Sequence, residues 1–190
     1  MPDVTLQNIA QIESEFGVDE RAISDASAFI AWQSASRTDV GRVRHINEDA
    51  LLELSAQRLW LVADGMGGQS RGDYASNAIV NQLNGFVRQH SLAANLLDLE
   101  AELILWNEQC RNAFRNKRPG TTVAAMLAHG NHGFFLWAGD SRIYRLRGQQ
   151  LNQLTQDHTV AQQQHAAGKL TKEEEEGHPS AHILTRAVGV

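Results

Sequence analysis

The sequence contains a single cysteine, no long apolar run and no excess of positive charge. Cys110 has no second cysteine to pair with, so no internal disulfide stabilises the fold. No segment approaches the roughly 18 consecutive apolar residues of a membrane span, and the N-terminus lacks the pattern of a signal peptide. A formal net charge of -5 argues against binding to nucleic acid or to an anionic membrane. We therefore expect a soluble cytoplasmic protein.

The composition is that of an ordinary globular domain, with 42% hydrophobic and 21% charged residues, and the 190 residues suit one domain. Residues 1–30 differ from the rest because they are acidic and rich in helix formers. Within them, four apolar residues recur at the spacing of an amphipathic helix: Leu6, Ile9, Ile12 and Phe16. We interpret residues 1–30 as an N-terminal extension and residues 31–190 as the folded domain.

From residue 31 onward, short strand-like segments are separated by two longer helical patterns. We predict strands at 31–37, 49–54, 58–63, 121–128, 132–138, 142–147 and 150–153. We predict helices at 73–89, 95–115 and 158–167, with Cys110 on the buried face of the second. Two successive helices between groups of strands break strict β-α-β alternation. The order favours an α+β fold of antiparallel sheets packed with helices over a doubly wound parallel sheet.

Three acidic motifs lie at the ends of apolar, strand-like segments. They are Arg44-His45-Ile46-Asn47-Glu48-Asp49, Asp64-Gly65-Met66-Gly67-Gly68 and Gly139-Asp140-Ser141-Arg142. A carboxylate at such an edge is partly buried, and a buried charge is costly unless it is paired or bound to a metal. Three carboxylates facing one place would repel each other. A hard divalent cation such as Mg²⁺ or Mn²⁺ would offset that repulsion.

Each acidic motif also has a simpler interpretation when it is taken alone. Glycine clusters usually mark tight turns, so the glycines after Asp64 can form a plain turn before a helix. They equally allow the main chain to approach a ligand closely, which would let the Gly65 carbonyl join Asp64 as a metal ligand. The motif at Asp140 also fits a turn, and the motif at Arg44 also fits a polar loop. Taken together, the order of the three motifs along the chain favours a metal site over three unrelated turns and loops.

The motifs resemble those of metal-dependent serine/threonine protein phosphatases of the PPM, or 2C, type in their bacterial form. The matching pieces, in family order, are Thr38–Gly41 with Arg44–Asp49, Val62–Gly68, Ala75-Ser76, Gly120–Thr122, Ala138–Tyr144, Leu154–His158 and Leu184–Gly189. The resemblance covers about residues 34–190. The segments His178-Pro179 and Ile183–Gly189 are most similar to phosphatases associated with bacterial type VI secretion loci.

This resemblance implies a four-layer α-β-β-α sandwich of two antiparallel sheets flanked by helices. It also implies hydrolysis of phosphoserine and phosphothreonine in proteins at a binuclear Mn²⁺ or Mg²⁺ centre through a metal-activated water, with a third, weaker metal position. The implied partners are phosphorylated proteins and a cognate serine/threonine kinase, with no nucleic acid and no membrane.

The resemblance further assigns the metal ligands. Asp64 matches the carboxylate that bridges both metals, and the Gly65 carbonyl would bind one of them. Asp49 would face that same metal, mostly through water. Glu48 matches a carboxylate that lies near the metals without binding them directly. Asp140 matches the carboxylate of the third metal position.

Arg44 matches the arginine that binds the substrate phosphate, since a planar guanidinium can pair with two phosphate oxygens. The expected catalytic residues are therefore Arg44, Asp49 and Asp64. Met66 stands where the eukaryotic branch has a histidine proposed as general acid. No side chain of this sequence is assigned that role, and a metal-bound water could serve.

The family pattern also includes two aspartates that this sequence does not show. Family members carry them in Ser-Asp-Gly and Asp-Asn segments, but no Asp follows Asp157 here. We expect the 190-residue chain to lack the C-terminal strands of the fold, and its metal site to be incomplete with weak or no activity. We also expect it to self-associate through an opened sheet edge.

The alternative is that the chain is a truncated, non-catalytic module that binds phosphoproteins or a partner.

Overall fold

The structure is a computed structural model that describes residues 31–67, 72–114, 119–130 and 132–190. Its strands are β1 Asp49–Leu54, β2 Leu59–Met66, β3 Gly120–Thr121, β4 Val123–His129, β5 His132–Ala138, β6 Tyr144–Arg147 and β7 Gln150–Gln153. Its α-helices are α1 Gly72–Leu83, α2 Leu92–Ala113, α3 Val160–Ala166 and α4 Lys172–Glu176. The helix predicted within residues 1–30 lies outside the described residues.

The described strands form two antiparallel sheets. The larger sheet has the order β1-β2-β4-β5, and the short strand β3 pairs with the end of β2. Strands β6 and β7 form a separate hairpin. Helices α1 and α2 pack against each other, and α1 also covers β1, β2 and β3. This arrangement confirms the predicted α+β class with two antiparallel sheets and helices.

The core lies between the larger sheet and helices α1 and α2. Alternate residues of β2 are buried there, namely Leu59, Leu61 and Ala63. The facing side of α1 buries Ile79 and Leu83, which are four residues apart. Cys110 of α2 is also buried, as its position in the helical pattern predicted. Burial of apolar side chains on both elements fixes the sheet against the helices.

The opposite face of the larger sheet remains partly open in the described structure. Val62 of β2 is 42% exposed on this face. The ring of Trp60 lies on the same face and packs against Trp32, with ring centroids 5.6 Å apart. Apolar side chains are therefore present on both faces of β2, but only one face is covered by α1 and α2.

Hydroxyl side chains mark the starts of three helices. Ser91 accepts a hydrogen bond from the Ala94 N–H and begins α2, and Thr159 caps α3 in the same way. Thr171 caps α4 in a reciprocal capping box with Glu174. These caps satisfy N–H groups that have no partner inside the helix.

Several predicted boundaries are wrong. No strand forms at 31–37, because Ser34 and Ser36 bond through their side chains to Glu53 instead of pairing along a ladder. The helix predicted at 73–89 ends at Leu83, and the turn that follows leads to Ser91, which starts α2 earlier than predicted. The helix predicted to begin at 158 begins after its cap, at Val160.

Two strand boundaries matter for the site. Strand β2 extends three residues beyond its apolar run and includes Asp64, so this residue lies inside the ladder rather than after it. The strand predicted at 121–128 is divided into β3 and β4 at Thr122.

We predict that Ile79→Ala lowers the free energy of unfolding by about 2–5 kcal/mol, because it leaves a cavity between α1 and the sheet. Val62→Ala is the matched control on the open face, where the loss should stay below about 1 kcal/mol. Urea denaturation followed by circular dichroism measures both. Equal losses for the two variants would show that the core does not lie between α1 and the sheet.

Candidate metal centre

Strands β1 and β2 bring two carboxylates together. The register places Asp49 directly opposite Asp64. The next residue, Gly65, donates its N–H to the Glu48 carbonyl at 3.0 Å. Asp49 and Asp64 are therefore a non-hydrogen-bonded pair, the class whose α-carbons are only about 4.5 Å apart. Their side chains lie on one face of the sheet, opposite the helices.

The pKa of Asp64 shows that negative charge accumulates at this point. It is raised from 3.8 to about 6. Although Asp64 reaches solvent, partial burial of its carboxyl is the largest cause, followed by the charge of Asp49 and then that of Asp140. A hydrogen bond to Asp49 and the charge of Glu48 act in the same direction. The structure thus brings all four predicted acidic residues within electrostatic reach of one another.

Asp140 reaches the site from a tight turn between β5 and β6. Gly139, the residue before it, has a φ of +108°, a conformation that glycine adopts without strain. The Gly139 N–H also bonds to His158 Nδ1 at 3.2 Å, and the His158 ring stacks on Trp137. These contacts fix the turn, and the charge of Asp140 then acts on Asp64 from a different strand connection.

Two oxygen atoms converge beside Gly72, the first residue of α1. A Cβ built there would come 2.5 Å from Glu48 Oε1 and 2.6 Å from the Gly65 carbonyl oxygen. The space is therefore open only because residue 72 has no side chain. The predicted ligand Gly65 and the predicted neighbour Glu48 thus present oxygens to the same small space.

Arg44 lies at the outer side of this cluster. Its guanidinium donates to Glu48 at 3.4 Å, and its side chain is 74% exposed. The pairing explains how a positive charge is held beside a group of carboxylates while remaining accessible to a ligand. All six residues predicted from the sequence therefore lie in one connected region.

The donor set suits a hard divalent cation, because it consists of carboxylate and backbone carbonyl oxygens. Partial burial and the neighbouring carboxylates together raise the pKa of Asp64, and a cation would neutralise this clustered charge. In the described part of the chain, however, no three His, Cys, Asp or Glu side chains are close enough together to hold one ion by themselves.

A neighbouring cavity of about 470 Å³ is lined by Asp140 and by several residues to which the sequence analysis assigned no role. Asp140 and His182 line it together with Arg142 and Asp157. The Arg142 guanidinium donates to both carboxylate oxygens of Asp157, at 2.9 Å from Nε and 2.7 Å from Nη2. Both residues fall within matching motifs, but the sequence does not show that segments 15 residues apart would pair.

The comparison with known families agrees with this arrangement. A family model described as protein phosphatase 2C matches residues 41–189, a range that includes all six predicted site residues. The chain belongs to the protein phosphatase 2C family. The predicted resemblance to bacterial PPM-type phosphatases is therefore confirmed.

Individual relatives within this protein phosphatase 2C family are bacterial. The serine/threonine phosphatase Stp of Listeria monocytogenes serotype 4b is 33% identical over 168 residues, covering 81% of this chain and 66% of that protein. PppA, a key regulatory component of the type VI secretion system in Pseudomonas aeruginosa, has a structure with a TM-score of 0.73 at 40% identity, covering 83% of this chain and 66% of that one.

A third relative was solved with metal. The catalytic domain of the serine/threonine protein phosphatase PstP in complex with two manganese ions has a TM-score of 0.63 at 34% identity, covering 80% of this chain and 65% of that one. The chain thus spans just under two thirds of the length of these three relatives.

Among the described residues, no helix combines the length and apolar character needed to cross a bilayer.

We predict that Asp49→Asn lowers the pKa of Asp64 from about 6 towards 3.8, because it removes the negative charge that contributes most to the shift. Carbon-13 NMR titration of the Asp64 carboxyl in metal-free protein measures this change. Glu48→Gln should lower the same pKa less, since Glu48 is the weakest of the causes. A pKa that is unchanged in Asp49→Asn would contradict the electrostatic account of the cluster.

Proposed function

We propose that this protein is a metal-dependent phosphatase that hydrolyses phosphoserine and phosphothreonine in proteins. The observation that carries the proposal is the convergence of Asp49, Asp64 and Asp140 from three separate segments, with the pKa of Asp64 raised to about 6. Its relatives Stp and PstP are serine/threonine phosphatases, and the PstP domain was solved with two manganese ions.

In this proposal the oxygens of the cluster hold the metal. Asp64 and the Gly65 carbonyl would bind it directly, and Asp49 would bind it mostly through water. Asp140 would bind a metal at the third, weaker position. Glu48 would lie near the metals without binding them directly. When bound, divalent cations would supply an activated water and would neutralise charge on the phosphoryl group.

Arg44 is the residue that we assign to the substrate. Its exposed guanidinium can pair with two phosphate oxygens while Glu48 keeps it near the carboxylate cluster. This contact would orient the phosphate and place the phosphorus next to Asp64. It would also offset part of the negative charge that the substrate brings to an acidic site.

The structure argues against a cysteine-based mechanism for the same reaction. A thiol nucleophile must be accessible and deprotonated. Cys110 is 3% exposed, and its Sγ donates to the Pro119 carbonyl at 3.1 Å, so its thiol is buried and hydrogen-bonded as a neutral donor. It lies in the core on α2, where free cysteines usually serve packing.

We further propose Mn²⁺ or Mg²⁺ as the metal, a cognate serine/threonine kinase as the opposing enzyme, and the cytoplasm as the location. The oxygen donors suit either ion. A role at a type VI secretion locus is supported by the 40% identity to PppA. Purification with metal analysis and the genomic neighbourhood test these finer assignments.

We predict that protein expressed from the complete reading frame containing this chain hydrolyses p-nitrophenyl phosphate with Mn²⁺. Asp64→Asn should reduce kcat at least about 100-fold, because it removes the central charge that holds the cations. Asp98→Asn, at an exposed position on α2, is the matched control and should keep wild-type turnover. The measurement is release of nitrophenol over a range of Mn²⁺ concentrations.

Near-normal turnover in Asp64→Asn would overturn the assignment of the metal site. Turnover without added metal that survives treatment with a chelator would overturn the proposed metal dependence. The 190-residue chain, measured beside the product of the complete reading frame, tests the expectation of weak or no activity for this length.

We predict that Arg44→Ala raises KM for a phosphothreonine peptide about 10- to 100-fold, because a charged hydrogen bond to phosphate is lost. Arg44→Lys should restore only part of this loss, since an ammonium cannot pair with two oxygens in one plane. Arg37→Ala is the matched control, because Arg37 is an exposed arginine nearby that pairs with Asp39. Equal KM values for wild type and Arg44→Ala would refute the substrate role.

A further inference from the structure

Thr122 occupies the break between β3 and β4, directly opposite Asp64. The register pairs Val62 with Ala124 and Gly65 with Thr121, which places Asp64 across from Thr122. In a regular hydrogen-bonded antiparallel pair, each residue would donate its N–H to the carbonyl of the other. Here the Thr122 N–H does bond to the Asp64 carbonyl, at 2.8 Å.

The second bond of the pair, from the Asp64 N–H, has a different acceptor. The Asp64 N–H donates to the hydroxyl Oγ1 of Thr122 at 3.0 Å. The Thr122 carbonyl instead accepts the hydroxyl of Thr121 at 2.9 Å. A side chain has therefore replaced the backbone acceptor at the residue that carries the central carboxylate.

The same hydroxyl reaches the turn that carries Asp140. Thr122 Oγ1 lies 2.6 Å from the hydroxyl of Ser141, the residue after Asp140. A hydroxyl has one proton and two lone pairs, so Oγ1 can accept from the Asp64 N–H and still bond to Ser141. Thr122 is 2% exposed, so water does not compete for these bonds. One buried atom thus joins the two acidic segments.

Packing at Gly139 gives independent evidence of the same connection. A Cβ built at Gly139 would come 2.6 Å from Cγ2 and 2.7 Å from Cβ of Thr122. The turn before Asp140 therefore rests directly on the Thr122 side chain, with no space between them. The methyl group and the hydroxyl of Thr122 both contact the segment that carries Asp140.

We propose that Thr122 is a positioning residue that sets the separation of Asp64 and Asp140, and through it the affinity of the site for divalent cations. The inference rests on the proposed function of these carboxylates as metal ligands. Residues that orient metal ligands through hydrogen bonds commonly change metal affinity about 10- to 100-fold when they are replaced.

The test compares two replacements of Thr122 in protein from the complete reading frame. Thr122→Val keeps the shape but removes the hydroxyl, and Thr122→Ser keeps the hydroxyl. We expect Thr122→Val to weaken Mn²⁺ binding at least about tenfold by calorimetry, and Thr122→Ser to retain most of the affinity. Amide hydrogen exchange at Asp64, measured without metal, should accelerate in Thr122→Val only.

The matched control is Thr155→Val. Thr155 is also a buried threonine, and its hydroxyl also accepts a backbone N–H, from Ile143 at 3.0 Å. It should lower the melting temperature as much as Thr122→Val does, yet leave Mn²⁺ affinity unchanged. Equal losses of affinity in both variants would reduce the role of Thr122 to general stability and overturn the inference.

Ser141→Ala provides a second route if Thr122→Val fails to fold. It removes the other hydroxyl and leaves the bond from the Asp64 N–H intact, so Mn²⁺ affinity should fall measurably but by a smaller factor than in Thr122→Val. Wild-type affinity in this variant would overturn the proposed link, as would a wild-type protein that binds no Mn²⁺. Mn²⁺ binding without hydrolysis of any phosphopeptide would refute the proposed function but not the role of Thr122.

Discussion

The repulsion between Asp49 and Asp64 is the constraint on which the site depends. The β1–β2 register sets these carboxylates opposite each other, and the hydrophobic alternation of both strands sets that register. A shift by one residue would turn Leu59, Leu61 and Ala63 out of the core. The free energy of burying these apolar side chains therefore holds two like charges together, at a cost that a bound cation would relieve.

Hydrogen bonds connect strand β2 to the other segments of the site. Gly65 donates to the Glu48 carbonyl, so the loop that holds Arg44 and Glu48 is tied to the end of β2. On the other side of β2, Thr122 replaces a regular ladder bond with a hydroxyl and so reaches the turn at Asp140. Strand β2 thus lies in the middle of the site, with Asp49 on the neighbouring strand β1 and Asp140 on the turn after β5.

The sequence predicted what depends on local pattern. The limits of β1, the hairpin of β4 and β5, and the buried face of α2 follow from alternation and periodicity. The six candidate site residues come from the family resemblance of their motifs, and their roles stay predictions. The division of the strand at Thr122 and the ion pair of Arg142 with Asp157 were not predicted from the sequence. Both arise from contacts between segments distant in the chain, and a local pattern of polar residues at a strand end does not distinguish a turn from such a contact.

Protons and cations compete for the same carboxylates. The folded-state pKa of Asp64, about 6, lies above its ordinary value of 3.8, so the folded protein holds this proton more tightly than the unfolded chain does. That contribution to stability is complete below pH 3.8 and is lost as the pH rises through about 6. Cation binding requires the deprotonated carboxylate and therefore has the opposite dependence on pH. For Asp64, the proton therefore contributes to stability in acid, whereas cation binding is favoured near neutrality, where a cation would take over the role of the proton at this carboxylate.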